Sequence, residues 1–243
     1  MNLDDPKITI KRAEIIKRKT LLKNFYLQSY HTFKKLSQNT PKGKKVELGS
    51  GGGFIKEIIP DCITSDVMQL PSCDLTFPAE KLPFKNNSVS AIYILNTFHH
   101  IKNPKKALFE FQRCLKRKGV VIMIEPNNSI LGKFIYKNFH HETFDPNSNW
   151  ITAGKGHLSS ANGALPWIIF KRDKDIYEKL FTNLKIVKLV PHTPFLYLLS
   201  GGFTAPQLIP VFLYPFVTAI ENIIKPLNNQ MGMFITIVLR KIK

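Results

Sequence analysis

The sequence is poor in cysteine and in acidic residues, and it lacks an apolar run at its start. Its three cysteines, Cys62, Cys73 and Cys114, do not have the spacing of metal ligands, and their odd number and scatter argue against a disulfide framework. We therefore expect buried, reduced thiols. Residues 1–6 include two aspartates and none of the apolar region that a secretory signal peptide carries. The expected localisation is cytoplasmic, with peripheral membrane contact left open.

The shortage of acidic residues leaves a large positive charge. The chain has 35 lysines and arginines against 17 aspartates and glutamates, a formal net charge of +18. A field of that sign attracts anionic lipid headgroups, nucleic acid or acidic substrates. Lysine outnumbers arginine, whereas proteins that read nucleic acid favour the planar fork of arginine. Nucleic acid is therefore disfavoured but stays open, and a lysine-rich surface without a specific partner fits equally well.

What the chain does have is a glycine-rich loop after a short apolar strand. The strand at 45–48 leads into residues 49–53, four of which are glycine, and a helix is expected to begin near Phe54. Glycine allows a positive φ and close approach of a ligand to the backbone. The free N–H groups of the loop and of the helix N-terminus would hold a polar or anionic group. The NAD-binding fingerprint would need glycine where Phe54 stands, so the loop predicts a nucleotide-type pocket of another kind.

An acidic residue follows at a spacing typical of ribose binding. Residues 62–66 predict a second strand that ends in Asp66, 17 positions after Gly49. In adenosine-binding α/β folds, an acid about 20 residues along reaches the ribose hydroxyls. A carboxylate suits this role because it accepts hydrogen bonds from two adjacent hydroxyls. A turn or helix-capping aspartate is the alternative interpretation.

Three segments together resemble the class I S-adenosylmethionine-dependent methyltransferases. The E-x-G-x-G-x-G pattern from Glu47 to Gly53 resembles the first motif of that family. Residues 79–84 read A-E-K-L-P-F, similar to the family's D-A-E-x-L-P-F segment, and residues 98–101 resemble its L-H-H-I segment. The resemblance covers residues 44–126 well. It departs at Pro78, where the family usually has aspartate, and at Ser90, where it often has an acid.

The resemblance implies a fold, a cofactor and a set of binding residues. The fold would be α/β, with a Rossmann-like, doubly wound, mostly parallel seven-stranded sheet. The cofactor would be S-adenosyl-L-methionine, with S-adenosyl-L-homocysteine as product. The cofactor-binding residues that it implies are Glu47, Gly49, Ser50, Gly51, Gly53, Asp66, Ala79, Glu80 and Asn96.

Hydrophobic periodicity predicts the remaining elements. Residues 6–38 read as a basic amphipathic helix or helix pair that packs on the domain and covers the cofactor cleft. A helix is expected over 103–118, and strands over 89–95, 120–126, 184–190 and 233–239, the last antiparallel at the sheet edge. We predict a helical extension at 1–40 and one domain at 41–243, with its cofactor-binding core at 44–126 and α-rich acceptor-side elements at 127–183 and 191–230.

Methyl transfer requires aligned reactants and exclusion of water, and it needs a general base only where the acceptor carries a proton. Histidine titrates near working pH, so His99 and His141 are the candidate catalytic residues, and His140 and His157 lie in the same region. No metal site is expected, because adjacent histidines project in different directions and no helical i, i+4 pair occurs.

The acceptor side contains a long stretch without charge. Residues 189–220 have no acidic or basic residue, but prolines divide them into pieces too short to cross a bilayer as one helix. Packing around an apolar acceptor pocket and a patch against lipid both fit this stretch. We expect methyl transfer to a small, apolar or carbohydrate- or lipid-linked acceptor. The alternatives are an RNA methyltransferase, and a non-catalytic cofactor-binding or membrane-associated scaffold.

Overall fold

The computed structural model describes residues 5–140, 142–151, 156 and 161–243, and a seven-stranded sheet organises them. The strands are β1 (Lys44–Leu48), β2 (Cys62–Asp66), β3 (Leu75–Thr76), β4 (Val89–Leu95), β5 (Leu115–Pro126), β6 (Leu184–His192) and β7 (Phe234–Lys241). Their spatial order is β3-β2-β1-β4-β5-β7-β6. Strands β1 to β5 pair in parallel, and β7 is antiparallel to both of its neighbours. The predicted Rossmann-like, mostly parallel sheet is confirmed.

The position of the last strand differs from the prediction. Strand β7 lies between β5 and β6, so the edge of the sheet is β6 and not β7. Every residue of β7 is buried except Arg240, as expected of a strand covered on both faces. Strand β6 is partly exposed and contains Pro191, which an edge strand tolerates because its N–H side need not pair.

Helices cover both faces of the sheet. They are α1 (Pro6–Arg18), α2 (Thr20–Leu36), α3 (Pro104–Cys114), α4 (Ile130–Phe139), α5 (Leu165–Trp167), α6 (Lys174–Leu180), α7 (Leu196–Leu199), α8 (Tyr214–Ile223) and α9 (Asn228–Met231). A π-turn, Ile168–Arg172, continues α5. None of the described helices has both the length and the apolar composition that a membrane span requires.

The core is divided into two layers because side chains alternate along each strand. On β4, Ile92 and Ile94 join the layer of α3 and α6, whereas Tyr93 and Leu95 join the layer of α2, α4 and α8. The same alternation runs through β5 and β7. The two layers therefore have different helices and, as described below, different outer surfaces.

The N-terminal helices pack on the second of these layers. Asp5 caps α1 by accepting a hydrogen bond from the Lys7 N–H, and Pro6 occupies the first turn. The chain becomes extended at Lys19 and then enters α2, so the predicted helix pair is present. Phe33 of α2 stacks on Tyr93 with ring centroids 5.2 Å apart, which fixes the pair to the sheet.

Two local elements differ from the sequence prediction. The helix expected near Phe54 is a single 3-10 turn, Ile55–Glu57, because only six residues separate the last glycine of the loop from Pro60. Helix α3 ends at Cys114 and not at residue 118, and β5 begins at once. Lys118 has a φ of 66° at a register irregularity of β5, so the strand absorbs the residues predicted to be helical.

Candidate active site

A cavity of about 530 Å³ opens where the parallel strands end. Leu48 of β1, Asp66 of β2 and Leu95 of β4 line it, as does Pro126 at the end of β5. Parallel α/β sheets bind ligands at this edge, and the volume lies within the range of small-molecule sites. The cavity has a cofactor end, at the glycine-rich loop, and an acceptor end, at the histidines and α4.

The glycine-rich loop forms the cofactor end with its backbone. Gly49 has a φ of 65° and Gly51 a φ of 51°, the left-handed region that glycine adopts without steric cost. Thr97 packs so closely on Gly49 that a side chain there would overlap it. The Ser50 N–H donates to the Ser65 carbonyl at 2.9 Å, which ties the loop to β2. These contacts hold the loop in one conformation before a ligand binds.

The last two glycines of the loop serve helix packing. A Cβ on Gly52 would lie 2.6 Å from the Cβ of Ala13 in α1, and one on Gly53 would overlap the Tyr30 hydroxyl of α2. Gly52 lines the cavity and Gly53 does not, and the cofactor contact of Gly53 stays a prediction. Because Gly52 and Gly53 have no side chain, both N-terminal helices can approach the loop.

Two buried polar atoms lie beside the loop without a protein partner. They are Oε2 of Glu47 and Oδ1 of Asn96, neither of which has a hydrogen-bond partner among the described residues. Both residues line the cavity, and Asn96 has a φ of 50°. Burial raises the pKa of Glu47 to about 7. Unpaired buried polar atoms are costly, so this end of the cavity is suited to a ligand with donors or positive charge.

Asp66 lies at the end of β2 and lines the cavity. Its Oδ2 accepts a hydrogen bond from the Gly51 N–H at 3.1 Å, and its Oδ1 accepts one from the Met68 N–H at 3.0 Å. The carboxylate is therefore held in place by the backbone. Ala79 and Glu80 line the same cavity, and Glu80 Oε1 also accepts from the Asn103 N–H at 3.1 Å.

The acceptor end contains a buried ion-pair cluster around His99. Its Nδ1 lies 2.6 Å from Oε2 of Glu125, and its Nε2 lies 3.2 Å from Oε2 of Glu142. Burial alone would lower the pKa of His99, but attraction to Glu125 and Glu142 outweighs it and raises this pKa to about 10. A cationic imidazole with both nitrogens engaged is not suited to the predicted role of general base.

His100 has the opposite character. Burial and the charge of His99 lower its pKa to about 3, so it is neutral at pH 7. It lines the cavity, and its buried Nδ1 has no hydrogen-bond partner among the described residues. His140 also lines the cavity. His141, the second predicted catalytic residue, lies outside the described residues, as does His157.

The donor atoms of His99, His100 and Glu142 lie within 4.8 Å of one another, close enough to share a metal ion. His99, when protonated, donates one ring N–H to each of the two carboxylates. A protonated imidazole has no lone pair for a metal, so a metal ion at this place would have to displace its protons. The one imidazolium and the two carboxylates together carry a net charge of −1.

Comparison with known proteins identifies this architecture. Residues 46–123 match the family model described as a methyltransferase domain. Over these residues the chain is similar to methyltransferase domains. The cofactor of this family is S-adenosylmethionine, and the matched residues include the glycine-rich loop, Asp66 and the histidine segment.

Two individual proteins are similar to this chain. Uncharacterized protein MJ1123 of Methanocaldococcus jannaschii is 29% identical over 131 residues, which cover 49% of this chain and 62% of that protein. The chain thus matches about three fifths of the length of this relative. A chain from the complex between the Haloferax volcanii Trm112 methyltransferase activator and a methyltransferase is 12% identical, with a TM-score of 0.51 over 90% of this chain and 92% of that one. The second similarity supports the fold.

The two departures from the family pattern lie in different places. Pro78 lines the cavity, so the protein lacks an aspartate side chain at that wall. The Ser90 hydroxyl instead contacts the carbonyls of Gly43 and Lys44, at 3.1 and 3.0 Å, near the start of β1. Ser90 therefore has a structural role at the opposite end of the strand from the cavity.

Several lining residues of the cavity were not predicted from the sequence. Thr9, Arg12 and Ile16 of α1 lie over the cavity, and Arg12 stacks on Phe203 at 5.2 Å from the ring centroid. Tyr136 of α4 and Tyr197 of α7 line the acceptor end. Nothing in the local sequence distinguishes these residues from ordinary core or surface positions, since Arg12 is one of five basic residues of α1.

Proposed function

We propose that the protein transfers the methyl group of S-adenosylmethionine to a small, apolar or carbohydrate- or lipid-linked acceptor. The observation that carries this proposal is the shared cavity. Its cofactor end has the fixed loop, Glu47 and Asp66, and its acceptor end has Tyr136 and Tyr197. Donor and acceptor sites in one enclosed space are what an in-line displacement requires.

The residues of the cofactor end fit the proposed cofactor. S-adenosylmethionine supplies a methyl group on a positively charged sulfonium. The buried, unpaired oxygens of Glu47 and Asn96 would accept hydrogen bonds from its ammonium group, and Asp66 would accept them from the ribose hydroxyls. Ala79 and Glu80 would border the base. Helix α1 would exclude water, because its residues Thr9 to Ile16 lie over the cavity.

The residues of the acceptor end favour a compact, largely apolar acceptor. Aromatic side chains line it, and His99 forms ion pairs with both Glu125 and Glu142. We assign to His100 the role of orienting the acceptor. Neutral His100 would accept a hydrogen bond from an acceptor hydroxyl or amine at its unpaired Nδ1, whereas its pKa of about 3 makes it too weak a base to hold that proton at pH 7.

Calorimetric titration with S-adenosylmethionine and S-adenosylhomocysteine tests the cofactor assignment. The wild-type protein should bind both, and Asp66→Asn should bind more weakly, whereas the surface control Asp61→Asn should bind like wild type. Asp61 pairs only with Lys45 at the surface, at 2.9 Å. Absence of binding at millimolar cofactor would favour the non-catalytic scaffold and contradict the proposal.

A labelled-methyl assay tests the acceptor. Lipid, quinone and sugar-nucleotide fractions should take up label from S-adenosylmethionine, and RNA is included as the competing substrate. His100→Gln should reduce uptake while leaving cofactor affinity unchanged, because it acts at the other end of the cavity. Label in RNA alone, with a steep dependence of RNA binding on salt, would replace the proposed acceptor with the RNA alternative.

A further inference from the structure

Helix α8 exposes apolar side chains and turns its charged residue inward, which is the reverse of an ordinary surface helix. Its one charged residue, Glu221, points inward, where its Oε1 accepts hydrogen bonds from the N–H groups of Phe195 and Leu196 at 2.9 and 2.8 Å. Its outer side and the turn before it present Phe212, Phe216, Ile220 and Ile223. Phe216 is 64% exposed and Ile223 is 77% exposed. Apolar side chains at this spacing form a stripe along the helix.

Helix α4 presents a second stripe in the same layer. Ile130 and Phe134 are exposed at 76% and 57%, while Tyr136 on the inner side lines the cavity. Tyr136 of α4 and Val217 of α8 pack in the same core layer, so the two helices lie on the same face of the sheet. We call the six outward residues of α4, α8 and the turn before α8 the apolar face: Ile130, Phe134, Phe212, Phe216, Ile220 and Ile223.

The opposite layer has no comparable surface among the described residues. On α3 and α6 the exposed large apolar side chains are Phe109 and Ile176, and Phe109 packs on Phe181 with centroids 4.8 Å apart. Scattered single side chains of this kind are ordinary, whereas a contiguous patch marks an interaction site. The apolar face therefore needs a partner.

The charges around the apolar face identify the kind of partner. Lys133, Lys137 and Lys225 are exposed on or beside its helices. Residues 127–139 and 196–231 contain no acidic residue other than the inward-pointing Glu221. In a symmetric dimer through this face the same patch would meet itself, and these lysines would lie opposite one another without acidic partners. Lysines beside exposed aromatic and aliphatic side chains instead match an anionic bilayer surface.

We propose that the apolar face docks on an anionic lipid membrane. The side chains of α8 and α4 enter the boundary between headgroups and acyl chains, and the lysines contact the phosphates. The docking itself does not depend on the proposed methyl transfer. Because α4 lines the acceptor end with Tyr136 and faces the membrane with Phe134, docking would present a lipid-linked acceptor to the cavity, and this last step does rest on the proposed function.

Vesicle flotation of the full chain tests the docking. Vesicles of phosphatidylcholine alone are compared with vesicles that also contain phosphatidylglycerol, at low and high salt. Wild type should float with the anionic vesicles, and Phe216→Ser with Ile223→Ser should reduce binding at least about tenfold. Lys133→Gln with Lys137→Gln should reduce it by roughly fivefold for each lysine, and high salt should do the same.

Matched controls come from the opposite layer. Ile176→Ser, and separately Lys105→Gln with Lys179→Gln, should bind vesicles like wild type. Circular dichroism of every variant shows that the fold is intact. Cofactor titration keeps docking distinct from the proposed function, since either measurement can fail while the other succeeds. Failure of wild type to float, equal loss in the controls, or a concentration-dependent dimer that Phe216→Ser with Ile223→Ser dissolves would overturn the proposal.

Discussion

The two ends of the cavity are built in different ways. The cofactor end is made by the ends of three neighbouring strands and by one loop, whose residues lie within 47–103 of the chain, with α1 and α2 packed over the loop. The acceptor end brings together the segment after β4, α4, α7 and β7, which are spread from residue 99 to residue 234. The cofactor end keeps two buried oxygens unpaired among the described residues, whereas the charged groups of the acceptor end pair with one another.

This difference separates binding of a common donor from recognition of a particular acceptor. A cationic donor with ribose hydroxyls requires a few fixed acceptors, which a short loop and two carboxylates provide. An apolar acceptor requires shape, and shape comes from the packing of remote elements. The following changes test whether the unpaired oxygens and the ion-pair cluster around His99 have these separate roles.

The largest expected effect is at the ion-pair cluster around His99. Glu125→Gln should lower the free energy of unfolding by about 3–5 kcal/mol, because it leaves His99 buried without its closest carboxylate. Glu125 Oε1 also accepts from the N–H groups of Thr97 and Phe98, both at 2.8 Å. Urea unfolding measures the change. Glu178→Gln, at an exposed pair with Lys174, is the control and should cost at most about 0.5 kcal/mol. Equal stability of both variants would mean that the cluster does not hold the acceptor end together.

Gly51→Val should have the next largest effect, on cofactor binding. A β-branched residue at a φ of 51° is strained, and its side chain would project at the cofactor end. We expect the affinity for S-adenosylmethionine to fall at least about a hundredfold, which is about 3 kcal/mol. Calorimetry measures affinity and circular dichroism confirms folding. A folded variant with wild-type affinity would remove the loop from the binding site.

The pH dependence of stability tests the buried charge of Glu47. Its pKa is raised from 4.5 to about 7 in the folded protein, so between these values the folded state holds more protons than the unfolded state. The free energy of unfolding should therefore fall as pH rises through this window, by on the order of 2 to 3 kcal/mol from this group.

Glu47→Gln should remove that fall. Subtracting the variant's plot of unfolding free energy against pH from that of wild type separates the contribution of Glu47 from those of the histidines. His100 has a lowered pKa, so its contribution makes the free energy of unfolding rise with pH up to its ordinary pKa of 6.5. His99 has a raised pKa, and its contribution to the free energy of unfolding is lost only as pH rises from 6.5 toward 10. Identical curves for wild type and variant would show that the Glu47 carboxylate is not buried as described.

The smallest expected effect is at Asp66. Asp66→Ala should weaken binding of S-adenosylmethionine by about 1–3 kcal/mol through the loss of charge-assisted hydrogen bonds. Affinity for methylthioadenosine, which keeps the ribose, should fall in parallel, whereas affinity for methionine should not change. A loss confined to methionine would move Asp66 from the ribose to the other part of the cofactor.

The cofactor end could be predicted from the sequence because its signals are local. The glycine spacing, the acid at the end of the second strand and the A-E-K-L-P-F segment each depend on backbone geometry within a few residues. The residue roles remain predictions, although the structure places Glu47, Asp66, Ala79 and Asn96 at one cavity. Gly53 belongs to the same local pattern, but its lack of a side chain makes room for Tyr30 of a distant helix, which no local pattern reveals.

Local patterns were also misleading where packing decides the outcome. His99 was a reasonable base by residue type, but Glu125 and Glu142, at 26 and 43 positions away, make it a cation. The helix expected after the loop is one 3-10 turn, and the last strand lies inside the sheet. The charge of His99 and the place of the last strand are decided by residues far away in the sequence, whereas the short turn after the loop is decided by the nearby Pro60.

The sequence by itself determined the class of fold, the position of the cofactor loop and the chemical type of the donor, because hydrophobic alternation and glycine spacing act through the backbone. Only the tertiary structure decided which histidine is charged, which residues of the N-terminal helices lie over the cavity and which apolar side chains remain outside. These properties depend on burial and on distances between remote residues, and neither can be read from neighbours in the chain.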